Sequence, residues 1–367
     1  MLFTSRTTYK SAGVDIDLDE ICKGIMIKAC AGTFKNNRHA QVLNLADDEL
    51  HRIQVLKIGG QYYIISSDGV GTKIEIAERI GDHTTVAYDL VAMLVDDAVR
   101  FGAKPIAMTN VLDVASLDEK IMKQLAKGLA NAAREAGIIV PNGEIAQLGK
   151  RVGGHIPAAY NWSGTLLSTV DPGKAITGEK IKPGDTILAL REYGFRSNGL
   201  SLVRKIAREH HGDNWHDSTH PIANETLGRL VLRPSTIYAP AILAALENPD
   251  NGITGIAHIT GGAIKGKLGR VLAPTGLGAK LDNLWAPPTI MKYFHKIGKV
   301  EDEEAYRTWN MGNGMLIITS NPKAVKQAIK NSGDYHIREC GEVTKAPILR
   351  IKTYQDKQIK YDLRKAG

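Results

Sequence analysis

The chain has 367 residues, 43% of them apolar, and a formal net charge of +8 from 47 basic and 39 acidic side chains. No apolar run approaches the roughly eighteen residues of a membrane span, and the opening MLFTSRTTYK lacks the apolar block of a secretory signal. The cysteines, Cys22, Cys30 and Cys340, are odd in number and lack CxxC spacing, which argues against a disulfide framework or zinc site and for a reducing, cytoplasmic setting.

In chain order, YYIISSDGVGTK reads as a strand running into a glycine turn, with Asp68, Gly69, Gly71, Thr72 and Lys73 at its end. Such a turn is either a wet strand-to-helix corner or a phosphate and divalent-metal site, in which the carboxylate holds a hard cation and the ammonium faces phosphate oxygens. The GxxxxGK[ST] spacing of a Walker A loop is absent. TTVAYDLVAMLVDDAVRFG follows as a helix, its apolar positions Ala87, Leu90, Val91, Leu94, Val95 and Ala98 recurring at helical spacing. PIAMTNVLDV reads as a strand, and SLDEKIMKQLAKGLANAAREAG as a helix with a Ser116/Glu119 capping box and a stop at Gly137. IIVPNGEIAQLG is a second strand and glycine turn, bearing Glu144, and YNWSGTLLSTV is a further strand.

The length favours two domains, and the glycine, proline and charge of DPGKAITGEKIKPGD place the junction near Asp171. An N-terminal domain over 1–170 and a second over 171–367 are therefore expected. In the second, SNGLSLVRKIAREH enters a helix, ITGIAHITGGAIKGKLGRVL goes strand, glycine turn, helix, WNMGNGMLIIT returns to a strand, and PILRIKTYQDKQIKYDL forms a hairpin. Tandem repeats and coiled-coil heptads are absent from the sequence.

Asp89 and Asp96 lie seven residues apart on the helix and so point within ~20° of each other, with Asp97 about 80° further round. A solvated acidic face is the ordinary explanation; the alternative is that a cation joins the acids, magnesium with a nucleotide being the natural one. Glu144 is a candidate further ligand or substrate contact. The net positive charge suits a small phosphorylated substrate better than nucleic acid, because no aromatic-rich basic stripe is present.

Six segments, YKSAGVDID, SSDGVGTK, YDLVAMLVDDAVRFGAKP, SNGLSLVRKI, HITGGAIKGKLGRVL and EEAYRTWNMGNGM, stand in the order and spacing of the phosphoribosylformylglycinamidine cyclo-ligase (aminoimidazole ribonucleotide synthetase) family, which the chain resembles over nearly its whole length. The resemblance implies an α+β fold of two mixed domains, and a homodimer in which N-terminal sheets pair across protomers. It implies MgATP as cofactor, with a monovalent cation as a further candidate. The implied reaction is cyclisation of formylglycinamidine ribonucleotide to aminoimidazole ribonucleotide in purine synthesis. Neither a nucleic-acid partner nor membrane association is expected. Asp68, Asp97 and Glu144 match the family's metal-linked or turn acids, and Lys73 its phosphate-side lysine. Nucleotide or substrate contacts are implied at Lys10, Gly69, Gly71, Thr72, Asp89, Asn110, Asn198, Gly261, Gly262 and Asn310.

The chain departs from the family pattern at identifiable residues. The family's GGETAE reads NGEIAQ, with Ile145 and Gln147; amides stand at Asn110 and Asn161 where acids are expected; the ND pair is Asp96–Asp97; and HSNG opens with Arg196. Helix starts after Gly199 and Gly262, with the surplus positive charge, are candidate seats for a ribose phosphate. The alternatives are a sister enzyme, such as a small-molecule kinase, selenophosphate synthetase or hydrogenase-maturation dehydratase, a weakly active nucleotide-binding regulatory subunit, and a basic RNA-binding scaffold.

Overall fold

The computed structural model describes residues 16–44 and 54–365. Helix α1 (Ile16–Ala31) precedes an antiparallel ribbon, β1 (Ala40–Asn44), β2 (Gln54–Ile58) and β3 (Gln61–Gly69), in which Val42 faces Leu56 and Leu56 faces Tyr63. A single turn, Gly71–Lys73, leads into α2 (Ile74–Ile80), which ends where Gly81 adopts a left-handed φ of 65°. Helix α3 (Val86–Val99) follows. Its sequence is apolar nearly all round, and twelve of its fourteen residues are buried, as a core helix requires.

Strand β4 (Lys104–Val114) and helix α4 (Glu119–Ala136) come next. The expected Ser116/Glu119 capping box does not form. Asp118 is the cap, its Oδ1 accepting the Ile121 N–H at 3.0 Å, while the Ser116 hydroxyl donates to the Pro157 carbonyl. Asp118 has the extended backbone that a cap needs, and its carboxylate is the stronger acceptor. Gly137, at φ 69°, stops the helix as expected.

β5 (Glu144–Gln147) and β6 (Tyr160–Thr169) complete a six-stranded sheet of order β1-β2-β3-β6-β4-β5. One face is covered by α3, whose Leu94 reaches β6 at Gly164, and α4 packs outside α3. A methyl group on Gly164 would meet Leu94 and Met108 within about 3 Å, so only glycine lets the helix lie that close.

The connector after β6 leads to a second, seven-stranded sheet. Its elements are β7 (Thr186–Arg191), α5 (Leu200–His211), α6 (Leu227–Leu232), α7 (Ala239–Leu246), β8 (Ile253–His258), α8 (Ala263–Leu272), β9 (Gly278–Leu281), α9 (Thr289–Ile297), α10 (Asp302–Thr308), β10 (Asn313–Thr319), α11 (Pro322–Ser332), β11 (Ile337–Thr344), β12 (Ile348–Lys352) and β13 (Gln358–Asp362). The order is β13-β12-β9-β11-β7-β10-β8, with β12 parallel to β9 and the other pairs antiparallel. All seven residues of β10 are buried, which explains why its apolar run does not alternate. The two halves meet where α3 packs against α7, and this seam positions the site.

Candidate active site

The acids of α3 divide between the seam and an open corner. Asp89 and Asp96, one heptad apart, are both fully buried and turn toward the second half of the chain. Asp89 accepts from the Lys73 ammonium at 2.7 Å, from the Ser235 N–H at 3.1 Å and from the Ser235 hydroxyl. Lys73 also donates to the Arg233 carbonyl and is itself fully buried. Lys73, expected on the phosphate side, is thus an internal tie between the halves, and Asp89 is its counter-ion.

Asp96 accepts from Arg196 Nη2 at 2.9 Å and from the Tyr238 N–H at 2.8 Å. Burial pushes its carboxyl up to about 7 against the pull of Arg196. Burial alone would lower the Arg196 value, but Glu192 and Asp96 outweigh it and keep the guanidinium charged. Two departures from the family pattern, Asp96 and Arg196, are therefore partners in one buried ion pair.

Arg196 Nη2 also lies 2.8 Å from His258 Nε2, and His258 Nδ1 lies 2.8 Å from Asp97 Oδ1. A guanidinium can only donate, so Nε2 must be bare and Nδ1 carries the proton that His258 donates to Asp97. Burial lowers the His258 value to about 4, so the ring is neutral at pH 7. Burial alone would raise Asp97; the His258 hydrogen bond, with Arg100 3.5 Å away, holds it well below the usual carboxylate range. A chain of hydrogen bonds starting at Arg196 thus presents Asp97 as a fixed anion.

Asp97 sits at a corner with Asp68, at the end of β3. The Asp68 carboxylate accepts the Gly69 N–H at 2.7 Å, and its value is raised, first by the surrounding protein and then by repulsion from Asp97. Lys267 on α8 supplies positive charge to both carboxylates. Gly261 and Gly262 are exposed at the start of α8, and a methyl group on Gly261 would come within 3.3 Å of Asn198 Oδ1. Asn198 Nδ2 points to Met93 Sδ, at 3.9 Å, between the two α3 acids of the seam. The structure thereby brings Asp68, Gly69, Asp97, Asn198, Gly261 and Gly262 to one region.

Of the other predicted residues, Asn110 lines a small pocket with Asp68, and the rest lie elsewhere. Asn310 is buried and clamps a loop, donating to the Gly194 carbonyl and accepting the Gly312 N–H. Asn110 Oδ1 accepts from the Trp162 indole at 2.9 Å. It shares a cross-strand row with Gly164 and Asp68, two strand spacings, or about 10 Å, from the latter. Glu144 is paired with Val111 in register, one residue out of step with that row, so it lies on the opposite face of the sheet from Asp68. Gly71 and Thr72 line a different cleft, of about 780 Å³, with Asn161. Lys10 lies outside the described residues.

Lys267, His258 and Arg100 were missed in the sequence. Only His258, just before the TGG turn, and Lys267, one helical turn beyond it, carried a local signal. Among the described residues no three His, Cys, Asp or Glu side chains gather as a ready cage for a metal. Asp68 and Asp97 nevertheless fit magnesium, which takes one or two carboxylates and completes its shell with water and substrate phosphates. Burial first, and then the charge of Asp97, raises the Asp68 value, and a divalent cation between the two carboxylates would offset both.

Residues 51–161 match the AIR synthase related protein N-terminal domain, and residues 182–353 the corresponding C-terminal domain. A phosphoribosylformylglycinamidine cyclo-ligase from Methanocaldococcus jannaschii is 36% identical over 331 residues, covering 90% of this chain and 89% of that protein. One from Pyrococcus furiosus is 33% identical over 349 residues, covering 95% and 98%. Among solved structures, hydrogenase maturation protein HypE superposes with a TM-score of 0.59 at 15% identity, over 88% of this chain and 94% of that one. T. maritima PurL complexed with AMPPCP gives 0.53 at 14% identity, over 88% and 45%. These last two likenesses speak for the fold, and the closer relatives decide the family. The chain belongs to the AIR synthase related proteins, within the phosphoribosylformylglycinamidine cyclo-ligase family.

Proposed function

We propose that this chain closes the imidazole ring of aminoimidazole ribonucleotide from formylglycinamidine ribonucleotide, using ATP. The observation that carries the reading is identity of 33–36% along almost the whole chain to relatives named for that reaction. The formamide oxygen of the substrate is a poor leaving group. Its attack on the γ-phosphorus of ATP releases ADP and turns it into a phosphate ester. The amidine nitrogen then attacks the same carbon, the C–O bond breaks with phosphate leaving, and the nitrogen gives up its proton. Closure is intramolecular, so the protein's work is positioning and charge neutralisation.

Asp68 and Asp97 would hold magnesium, which would supply positive charge to offset that of the ATP phosphates. His258 fixes one oxygen of Asp97 and leaves the other free to turn toward a ligand. Lys267 and the start of α8 at Gly262 face phosphate oxygens. Glu144, on the outer sheet face away from Asp68, stands outside this set. Residues 1–170 form the ATP-binding and dimerising domain and residues 171–367 the second domain. The sheet face opposite α3 supports a homodimer: Ile65, Val111 and Leu167 project from adjacent strands and are 57%, 41% and 37% exposed. The three free thiols suit a cytoplasmic protein. The test is turnover with formylglycinamidine ribonucleotide and MgATP. ADP and the diazotisable aminoimidazole should appear in equal amounts, and ADP without the amine would oppose the reading.

A further inference from the structure

The cleft lined by Gly71 and Thr72 contains a charge imbalance that ring closure at the Asp68–Asp97 corner does not use. Glu75 on α2 is gripped by three guanidinium groups. Arg79 reaches its Oε1 through Nε at 3.0 Å and Nη2 at 2.9 Å, Arg208 reaches the same oxygen at 3.0 Å, and Arg204 meets Oε2. Arg151 lines the same cleft from the 148–155 loop. Of the other carboxylates nearby, Glu78 accepts the backbone N–H groups of His155 and Tyr160 from the loop, and Asp213 is exposed, its backbone carbonyl accepting from Arg79 Nη1 at 3.0 Å. Three guanidinium groups thus crowd onto Glu75 in a half-buried place, with Arg151 on the same cleft and the one further carboxylate paired with them, Asp213, out in solvent 4.0 Å from Arg208 Nε. Arg204 Nε is buried with no hydrogen-bond partner among the described residues. Burial and the adjacent Arg208 pull the Arg204 value down, as expected of cations crowded without enough anion.

We propose that this arginine knot seats a phosphate monoester dianion, and that on the cyclo-ligase reading its source is the 5′-phosphate of the ribonucleotide substrate. Guanidinium forks match phosphate oxygens in pairs, and two arginines freed from sharing one carboxylate could each supply a fork. The cleft, about 780 Å³, has room for a ribose phosphate. It adjoins the Gly71–Thr72 turn, whose start is the Asp68–Gly69 strand end, so a ligand held here by its phosphate extends toward the carboxylate corner. A triphosphate with its magnesium belongs at that corner instead, where two carboxylates face each other.

The test uses the full chain. Ribose 5-phosphate and inorganic phosphate are titrated calorimetrically into the wild type, Arg208→Gln, Glu75→Gln and, as a control for net charge, Arg134→Gln on the exposed face of α4. Arg208 is half exposed, so its loss leaves the core packing in place, and melting curves check this. Arg208→Gln should weaken both probes at least fivefold, whereas Arg134→Gln should not. Glu75→Gln removes the competing carboxylate, so phosphate should raise its melting temperature more than that of the wild type. Ribose 5-phosphate raising the apparent KM for formylglycinamidine ribonucleotide, but not for MgATP, identifies the substrate as the source. Binding without that competition supports the anion site with free phosphate as its ligand. Equal affinities in the wild type and Arg208→Gln, or no binding at millimolar concentration, would overturn the site and leave the knot as a salt bridge between the halves. Absence of turnover would count against the cyclo-ligase reading alone, because calorimetry reads the site without it.

Discussion

Asp96 and Arg196 show how two departures from a family pattern become one feature when their side chains meet. Each is fully buried, so losing Arg196 leaves Asp96 and Glu192 without their cation, whereas losing Asp96 leaves Arg196 with Glu192. Arg196→His alone should cost about 3 kcal/mol or more, the usual penalty for breaking a buried pair, and Asp96→Asn alone should cost less because Glu192 still faces the guanidinium. The double variant, which restores the family's residues at both positions, should recover at least half of the summed loss in urea unfolding. Strict additivity would show that the two are independent. The helical period of Asp89 and Asp96 correctly placed them on one sector of α3, but each is answered by its own side chain, Lys73 and Arg196, rather than both by the magnesium the sequence suggested. These partnerships were not legible, because Arg196 is 100 positions from Asp96, and Ser235, which completes the burial of Asp89 beside Lys73, is 146 positions away. For Lys73 the motif pointed outward to a phosphate, yet the ammonium lies in the core, since only the fold reveals a buried carboxylate within reach.

At the scale of elements, strands and helices were largely readable because their apolar spacing is local, while a cap depends on which of two neighbouring oxygens reaches the first turn. Asp118→Ala should destabilise the chain by about 1 kcal/mol. Ser116→Ala should cost less, and the reverse ranking in thermal unfolding would restore the Ser116 cap. The start of α3 offers a pH test. His83 is buried, with Nδ1 2.9 Å from the Tyr160 hydroxyl, and burial lowers its value from 6.5 despite Asp82 and Asp118. The unfolded chain therefore binds this proton more readily than the folded one, and stability rises with pH through the window below 6.5. His83→Gln should flatten that part of the stability curve. An unchanged slope on acidification would mean that the buried ring does not resist protonation.

At the scale of the molecule, the two-sheet architecture followed from the order of motifs, but the exposed apolar face of the first sheet was not visible in any one strand. It comes from Ile65, Leu167 and Val111 standing in different strands, which only register aligns. If this face pairs two protomers, Val111→Lys should shift sedimentation from dimer toward monomer; a wild type that is monomeric at micromolar concentration would remove the dimer from the proposal. The same whole-chain view explains why Glu144 seemed to belong with Asp68 in the sequence: both stand beside glycine turns, but Asp68 lies at the end of β3 and Glu144 at the start of β5, and the sheet puts them on opposite faces. The central claim is that this molecule activates the substrate's formamide oxygen with ATP and closes the ring as phosphate leaves. It is tested most directly by the fate of that oxygen. With the formamide carbonyl labelled with heavy oxygen, one labelled atom should appear in each inorganic phosphate, in step with aminoimidazole ribonucleotide and ADP; label released to water, or unlabelled phosphate formed alongside the ring product, would contradict it.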